Sequence, residues 1–163
     1  MKTYGRRNLS FSTVAPTGTV SIMAGVSSGI EPVFMPYYMR RRKVSNSIDR
    51  VDFIDAVGEK FTEFAVIHPM FKKWMIDRWE GTDDIVENFT KERLQTEFKE
   101  SPWYGSTSPE IPWQDRIAIQ QVVQNYTTHA ISSTVNLPEN TTEKEIGGMY
   151  STAWEKGLKG ITV

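Results

Sequence analysis

The chain has 163 residues, 19 basic and 20 acidic side chains, a formal net charge of −1 and no cysteine. That length suits one ordinary domain with a real core, and the balanced charge gives no global field to attract nucleic acid or an anionic membrane. The missing thiols exclude disulfides, thiolate metal sites and cysteine nucleophiles within this chain. No apolar run reaches the roughly 20 residues needed to cross a bilayer. Residues 1–7 have no apolar h-region behind them, so the expected setting is the cytoplasm, with no secretory signal and no membrane partner.

In chain order, residues 9–14 (L-S-F-S-T-V) alternate apolar and polar side chains and predict a short strand. It delivers the chain to Pro16-Thr17-Gly18-Thr19, a small-residue turn that runs into the apolar Val20-Ser21-Ile22-Met23-Ala24, where a helix opens. A helix start carries about four backbone N–H groups without intrahelical partners, and its dipole adds partial positive charge. Small residues let an anion approach that backbone, so the turn offers a phosphate site without a lysine. The competing reading is a plain helix start with Thr17 as its N-cap. There is no G-K-[ST], so a Walker-type NTPase is not indicated.

Residues 33–39 are apolar and aromatic with Pro36 inside, which predicts an edge or irregular strand. Arg40-Arg41-Arg42-Lys43 then leads into a polar connection ending near Asp49. Four adjacent charges without interleaved aromatics, in a neutral chain, read as a solvated or subunit-facing surface and not as a nucleic-acid patch. From Val51, steps of three and four through Ile54, Gly58, Phe61 and Ala65 predict an amphipathic helix. Pro69 follows that run, and a second helix is expected over 71–79. Gly81-Thr82-Asp83-Asp84 is a turn with N-cap candidates for a short helix through Phe89.

Residues 101–112 hold three prolines and a glycine and predict a loop. Residues 113–126 are expected to be helical, with Ile119, Val122, Val123 and Tyr126 on the apolar side. Residues 131–137 alternate again and contain Thr and Val, which favour strand. Thr142 and Glu145 form a capping-box pattern opening a helix through Lys156, with Gly157 as its C-cap, and 160–163 is a closing strand. This strand–helix–strand order predicts a parallel α/β sheet or barrel. His68 and His129, the only histidines, lack ligand-like spacing, so no metal site is expected.

Three blocks carry a family resemblance. Residues 15–32 read A-P-T-G-T-V-S-I-M-A-G-V-S-S-G-I-E-P; S-P-W-Y-G-S-T at 101–107 and R-I-A-I-Q at 116–120 form the second. The third is H-A-I-S-S-T-V-N-L-P at 129–138, with Ala153-Trp154 and G-L-K-G-I-T-V at 157–163. In this order, over nearly the whole chain, they resemble the catalytic chains of ribonucleotide reductases, especially the adenosylcobalamin-dependent branch. The fold this implies is α/β: the C-terminal part of a ten-stranded α/β barrel built from two halves, with inserted helices, making up 1–163 as a single partial domain.

The resemblance also implies a site. Backbone N–H groups around Thr17, Gly18, Thr19, Val20 and Ser21 would hold the phosphates of a ribonucleotide substrate, with Ala15 and Pro16 beside its ribose and base. Gly29 would take a backbone conformation other residues resist, and Glu31 would be a structural carboxylate hydrogen-bonded near the site. No catalytic residue is carried over, because the family's thiyl cysteine, its reducing cysteine pair and the motif of its catalytic glutamate are missing from this chain. The implied unit is a fragment or split subunit, ending in an unfinished strand. It would work with a cysteine-bearing remainder, adenosylcobalamin and a thioredoxin-type reductant, and a partner chain or self-association would cover its open edges. The alternatives are a non-enzymatic phosphate-binding module and an inert truncated product.

Overall fold

The computed structural model describes residues 5, 7–45, 50–81, 86 and 89–163. The chain divides into two compact units, Met1–Phe34 with Gly105–Val163, and Met35–Tyr104.

In the first unit three chain segments run side by side. The segment 129–135 pairs in parallel with Val14 through Ile131, and with Thr162 through Thr134. Ser132 N–H donates to Val14 O at 2.9 Å, and Val135 N–H to Thr162 O at 2.8 Å. The parallel arrangement expected from the strand–helix–strand order is therefore present, although the expected strands at 9–14, 131–137 and 160–163 are reduced to single bridges. Mixed helices and a partial, open set of paired segments fit a portion of a barrel.

Among the described residues this unit holds α1 (Gly18–Ala24), α4 (Trp113–Gln124) and α5 (Glu143–Glu155). The capping box predicted for α5 is formed, with Thr142 Oγ1 accepting from Glu145 N–H and the Glu145 carboxylate accepting from Thr142 N–H. Ile117, Val135, Met149 and Ala153 make the apolar core.

The orientation of α4 reverses the expectation. Of the four residues predicted as its inner side, Ile119 and Val122 are exposed at 49 and 61%, Val123 is half-buried, and Tyr126, just past the helix end, is exposed at 85%. Its buried side carries Arg116, Ile117, Gln120 and Gln124. The polar residues are four apart, on one face, and each meets a backbone carbonyl that the short bridges leave open. Gln120 Nε2 donates to Gly160 O at 2.7 Å, and Gln124 Nε2 to Thr127 O and His129 O, both at 2.9 Å. A buried carbonyl without a donor is costly, so long amide side chains displace apolar ones from this face.

The second unit contains a three-stranded antiparallel sheet in the order β1-β3-β2, from β1 (Tyr37–Lys43), β2 (Phe53–Ile54) and β3 (Lys60–Ile67). Two expectations change here. The amphipathic helix over 51–65 is instead a β-hairpin: F-T-E-F-A-V-I is rich in aromatic and β-branched residues, which favour strand. Asp55 accepts from Val57 N–H and Glu59 N–H, and Gly58 at φ +85° completes a turn no helix passes through. The predicted edge strand over 33–39 starts instead at Tyr37, just after Pro36, which has no N–H for the ladder. It continues through the basic run, where Arg41 Nε meets Glu63 Oε1 at 2.7 Å and its guanidinium lies 3.7 Å from the centre of the Phe53 ring.

The expected helix at 71–79 forms as α2 (Pro69–Trp79), with Pro69 in its first turn. A helix that the sequence reading did not assign, α3 (Lys91–Glu100), is capped by Thr90. The turn at 81–84 and its short helix fall largely outside the described residues, as does the connection at 46–49. The core here is Phe71, Met75, Val86 and Leu94, with Trp103 edge-on to Phe71 at 5.7 Å. Among the described residues no helix is long and apolar enough to cross a membrane.

Two outcomes test this arrangement. Ile117→Ala should cost about 2–5 kcal/mol in a denaturation series, as for a buried aliphatic truncation. Val122→Ala should stay within about 0.5 kcal/mol; the opposite ranking would return α4 to the predicted orientation. The second concerns pH. His68 Nδ1 accepts from Met70 N–H at 3.2 Å at the start of α2, and burial pushes its pKa below the ordinary value of 6.5. The folded state thus prefers the neutral ring, and the unfolded chain takes up the proton first. Stability should be full above about pH 6.5 and decline as pH falls below it. His68→Asn should flatten that decline in a pH series of thermal melts.

Candidate functional site

The turn predicted to bind phosphate leads into α1. Thr17 is the N-cap by position (φ −98°, ψ 36°), but its side chain makes no capping hydrogen bond. Its Oγ1 instead accepts from Gly29 N–H at 3.1 Å. The first backbone bond of the helix is Ser21 N–H to Thr17 O at 2.8 Å. The N–H groups of Gly18, Thr19 and Val20 thus precede the ladder, without a side-chain cap. Ser21 is buried, and its hydroxyl contacts Gly18 O and Ser28 Oγ, each at 2.8 Å, which ties α1 to the returning loop. Gly25 at φ +68° ends the helix.

A cavity of about 190 Å³ lies against this turn. Ala15, Pro16, Thr17 and Gly18 line one side; Ser28, Gly29, Glu31, Ser132 and Thr134 complete it. Four of the seven predicted site residues therefore share a wall. Thr19, Val20 and Ser21 do not line it: Val20 is 65% exposed on α1, and Ser21 is turned inward.

The loop carrying Gly29 is tightly fitted. Its φ is +51°, and a Cβ there would sit 3.2 Å from Val14 Cγ1 and 3.8 Å from both Ala15 O and Ser132 O. The sequence expectation that Gly29 takes a conformation other residues resist matches this geometry. Glu31 also fits its expected structural part, since its carboxylate accepts from Thr134 N–H.

Behind the cavity is a residue the sequence reading quoted without assigning a role. Arg116 of α4 is only 4% exposed. Its guanidinium donates to Thr134 O at 3.0 Å, Ser133 Oγ at 3.3 Å and Ser108 Oγ at 3.5 Å. Burial pulls its pKa below the ordinary arginine value, while the charge of Glu31 acts in the opposite direction. Arg116 and Glu31 both line a second cavity of about 370 Å³, with Ser27, Gly29, Ile111 and Ser133. One signal for Arg116 was available: an arginine at a four-residue interval from Gln120 and Gln124 suggests a polar helix face with buried work to do.

Among the described residues no group of three or more His, Cys, Asp or Glu side chains is placed to hold a metal ion.

Parallel segments fed by helices, with a small-residue turn opening onto a cavity, are features of an α/β enzyme barrel. The family described as ribonucleotide reductase, barrel domain, matches residues 1–163, and the chain belongs to it. A vitamin B12-dependent ribonucleoside-diphosphate reductase of Mycobacterium tuberculosis is 32% identical over 165 residues, covering 97% of this chain and 21% of that protein. The reductase of the same name from Thermoplasma acidophilum is 29% identical over 157 residues, covering 96% of this chain and 19% of the relative. A vitamin B12-dependent ribonucleotide reductase of Rhodopirellula baltica is 29% identical over 171 residues. The chain spans about a fifth of the length of the first two relatives.

The fitted loop yields a prediction. Gly29→Ala should destabilise the protein by about 1–2 kcal/mol, because it forces an L side chain to positive φ against Val14. Gly18→Ala, whose Cβ would meet nothing within 4 Å, should leave the denaturation midpoint almost unchanged.

Proposed function

We propose that this chain is the substrate-phosphate-binding part of a vitamin B12-dependent ribonucleotide reductase, an enzyme that converts ribonucleotides to 2′-deoxyribonucleotides. The observation that carries the reading is the cavity against Thr17 and Gly18, at a helix start whose first N–H groups lack a side-chain cap. Family membership and the B12-dependent relatives support it.

In this reading the N–H groups of Gly18, Thr19 and Val20 face the phosphate oxygens, while that of Ser21 is held by Thr17 O. Thr17 Oγ1 already accepts from Gly29, so its own proton is available to donate to the same oxygens. Ala15 and Pro16 pack beside ribose and base. These contacts fix the sugar relative to the reacting groups, and orientation of that kind supplies several kcal/mol of barrier reduction. Both compact units belong to one partial barrel domain, the C-terminal portion of the ten-stranded fold.

Adenosylcobalamin supplies the radical-generating chemistry of the complete enzyme when bound. With no cysteine here, the thiyl radical and the reducing thiol pair come from a cysteine-bearing remainder, served by a thioredoxin-type reductant in the cytoplasm. The lack of cysteine also favours a second reading, a non-enzymatic module that binds nucleotide phosphates.

Reconstitution separates the two. The chain is mixed with a cysteine-bearing remainder, adenosylcobalamin, a dithiol reductant and a ribonucleoside diphosphate. Deoxyribonucleotide formation that requires both polypeptides and the cobalamin is the expected result. Diphosphate binding without turnover would favour the module, and absence of binding would overturn both readings.

A further inference from the structure

The phosphate cavity contains a feature that works against its proposed occupant: Glu31 lines it, with its carboxylate bonded to the N–H of Thr134, another lining residue. An anionic wall opposes a polyphosphate unless its charge is offset, because the attraction or repulsion of unit charges stays large in partly buried surroundings. The offsetting charge is close by. Glu31 accepts from Thr134 N–H while Arg116 donates to the carbonyl of the same residue, so the two hold consecutive peptide groups on either side of the Thr134 Cα. They also share the walls of the adjoining cavity.

The geometry points to Arg116 as a positioning and specificity residue for the phosphate site, offsetting the Glu31 charge and holding the Thr134 carbonyl so that the cavity accepts a nucleoside polyphosphate. This rests on the phosphate reading above and adds the group that makes the site electrostatically tolerant. Arg116 does not touch the ligand; it acts through Glu31 and Thr134. Its other partners, Ser108 and Ser133, are buried hydroxyls that keep the guanidinium planar fork in place, and Ser108 Oγ in turn accepts from Asn136 Nδ2 at 2.7 Å.

The charge argument makes a prediction that a purely structural arginine would not. In the full chain, with cytidine diphosphate, inorganic pyrophosphate and cytidine as probes, Arg116→Gln should weaken diphosphate and pyrophosphate binding by about tenfold or more. The same change should leave any cytidine affinity nearly unchanged. Adding Glu31→Gln to Arg116→Gln should recover most of the loss, because the uncompensated carboxylate is then gone. Glu31→Gln alone, at a half-buried position where misfolding is a smaller risk, should keep or raise pyrophosphate affinity. Arg116→Lys should restore part of it.

Equal losses for cytidine and the diphosphate, failure of the double variant to recover, or a drop in pyrophosphate affinity with Glu31→Gln alone would each overturn the inference. Wild-type protein that binds neither diphosphate nor pyrophosphate would overturn the phosphate reading itself, and this inference with it. Wild-type binding combined with any of the three contrary variant results would remove this inference alone.

Discussion

The main chain at Thr134 is held at two points, its N–H by the Glu31 carboxylate and its carbonyl by the Arg116 guanidinium. Much of the first unit depends on that grip. Thr134 is also where the central segment bridges to Thr162, and a short step back Ser132 donates to Val14. Three parallel segments that share only two bridges would be weakly held by their own ladder. Long polar side chains from α4 supply the missing partners, with Arg116, Gln120 and Gln124 each reaching a main-chain carbonyl. The cost is burial of charge and amide, tolerated because nearly every donor is used. Among the described residues, the Oε1 atoms of Gln120 and Gln124 have no hydrogen-bond partner.

This scaffold explains why the turn before α1 keeps an open cavity. Thr17 would ordinarily cap its own helix, yet its hydroxyl oxygen is drawn to the Gly29 N–H instead. That choice leaves the helix start without an internal cap and at the same time pins the returning loop that carries Glu31. Gly29 is the only residue type suited to that pin, given its positive φ and the 3.2 Å approach to Val14. Shape and chemistry at the turn thus come from the same contact.

Much of this was readable in the sequence where a local rule acted alone. The capping box at Thr142 and Glu145, the helix after Pro69 and the proline-rich loop each follow from chemistry within a few residues, whereas the conformation of Gly29 was implied by the family resemblance. The reading failed where longer-range pairing decided the outcome. Spacing of three and four through Val51, Ile54, Gly58, Phe61 and Ala65 suggested a helix, but pairing of β3 with β1 and β2 won over that period. On α4 the apolar side was taken as buried, whereas backbone carbonyls from distant segments drew the polar side inward. The sequence pointed to a site over 15–21, of which 15–18 line the cavity; Ser28, Ser132 and Thr134, which close it, lie too far along the chain for periodicity to connect them.

The central claim is that the turn, and not some other part of the chain, holds the substrate phosphates. The most direct measurement is backbone amide chemical-shift mapping of the nitrogen-15-labelled protein during titration with cytidine diphosphate and with pyrophosphate. The account predicts that both ligands shift the amides of Gly18, Thr19, Val20 and Ser21 first and most, and that cytidine leaves them unmoved. Shifts concentrated on the basic strand at Arg40, Arg41, Arg42 and Lys43, with the turn silent, would contradict it.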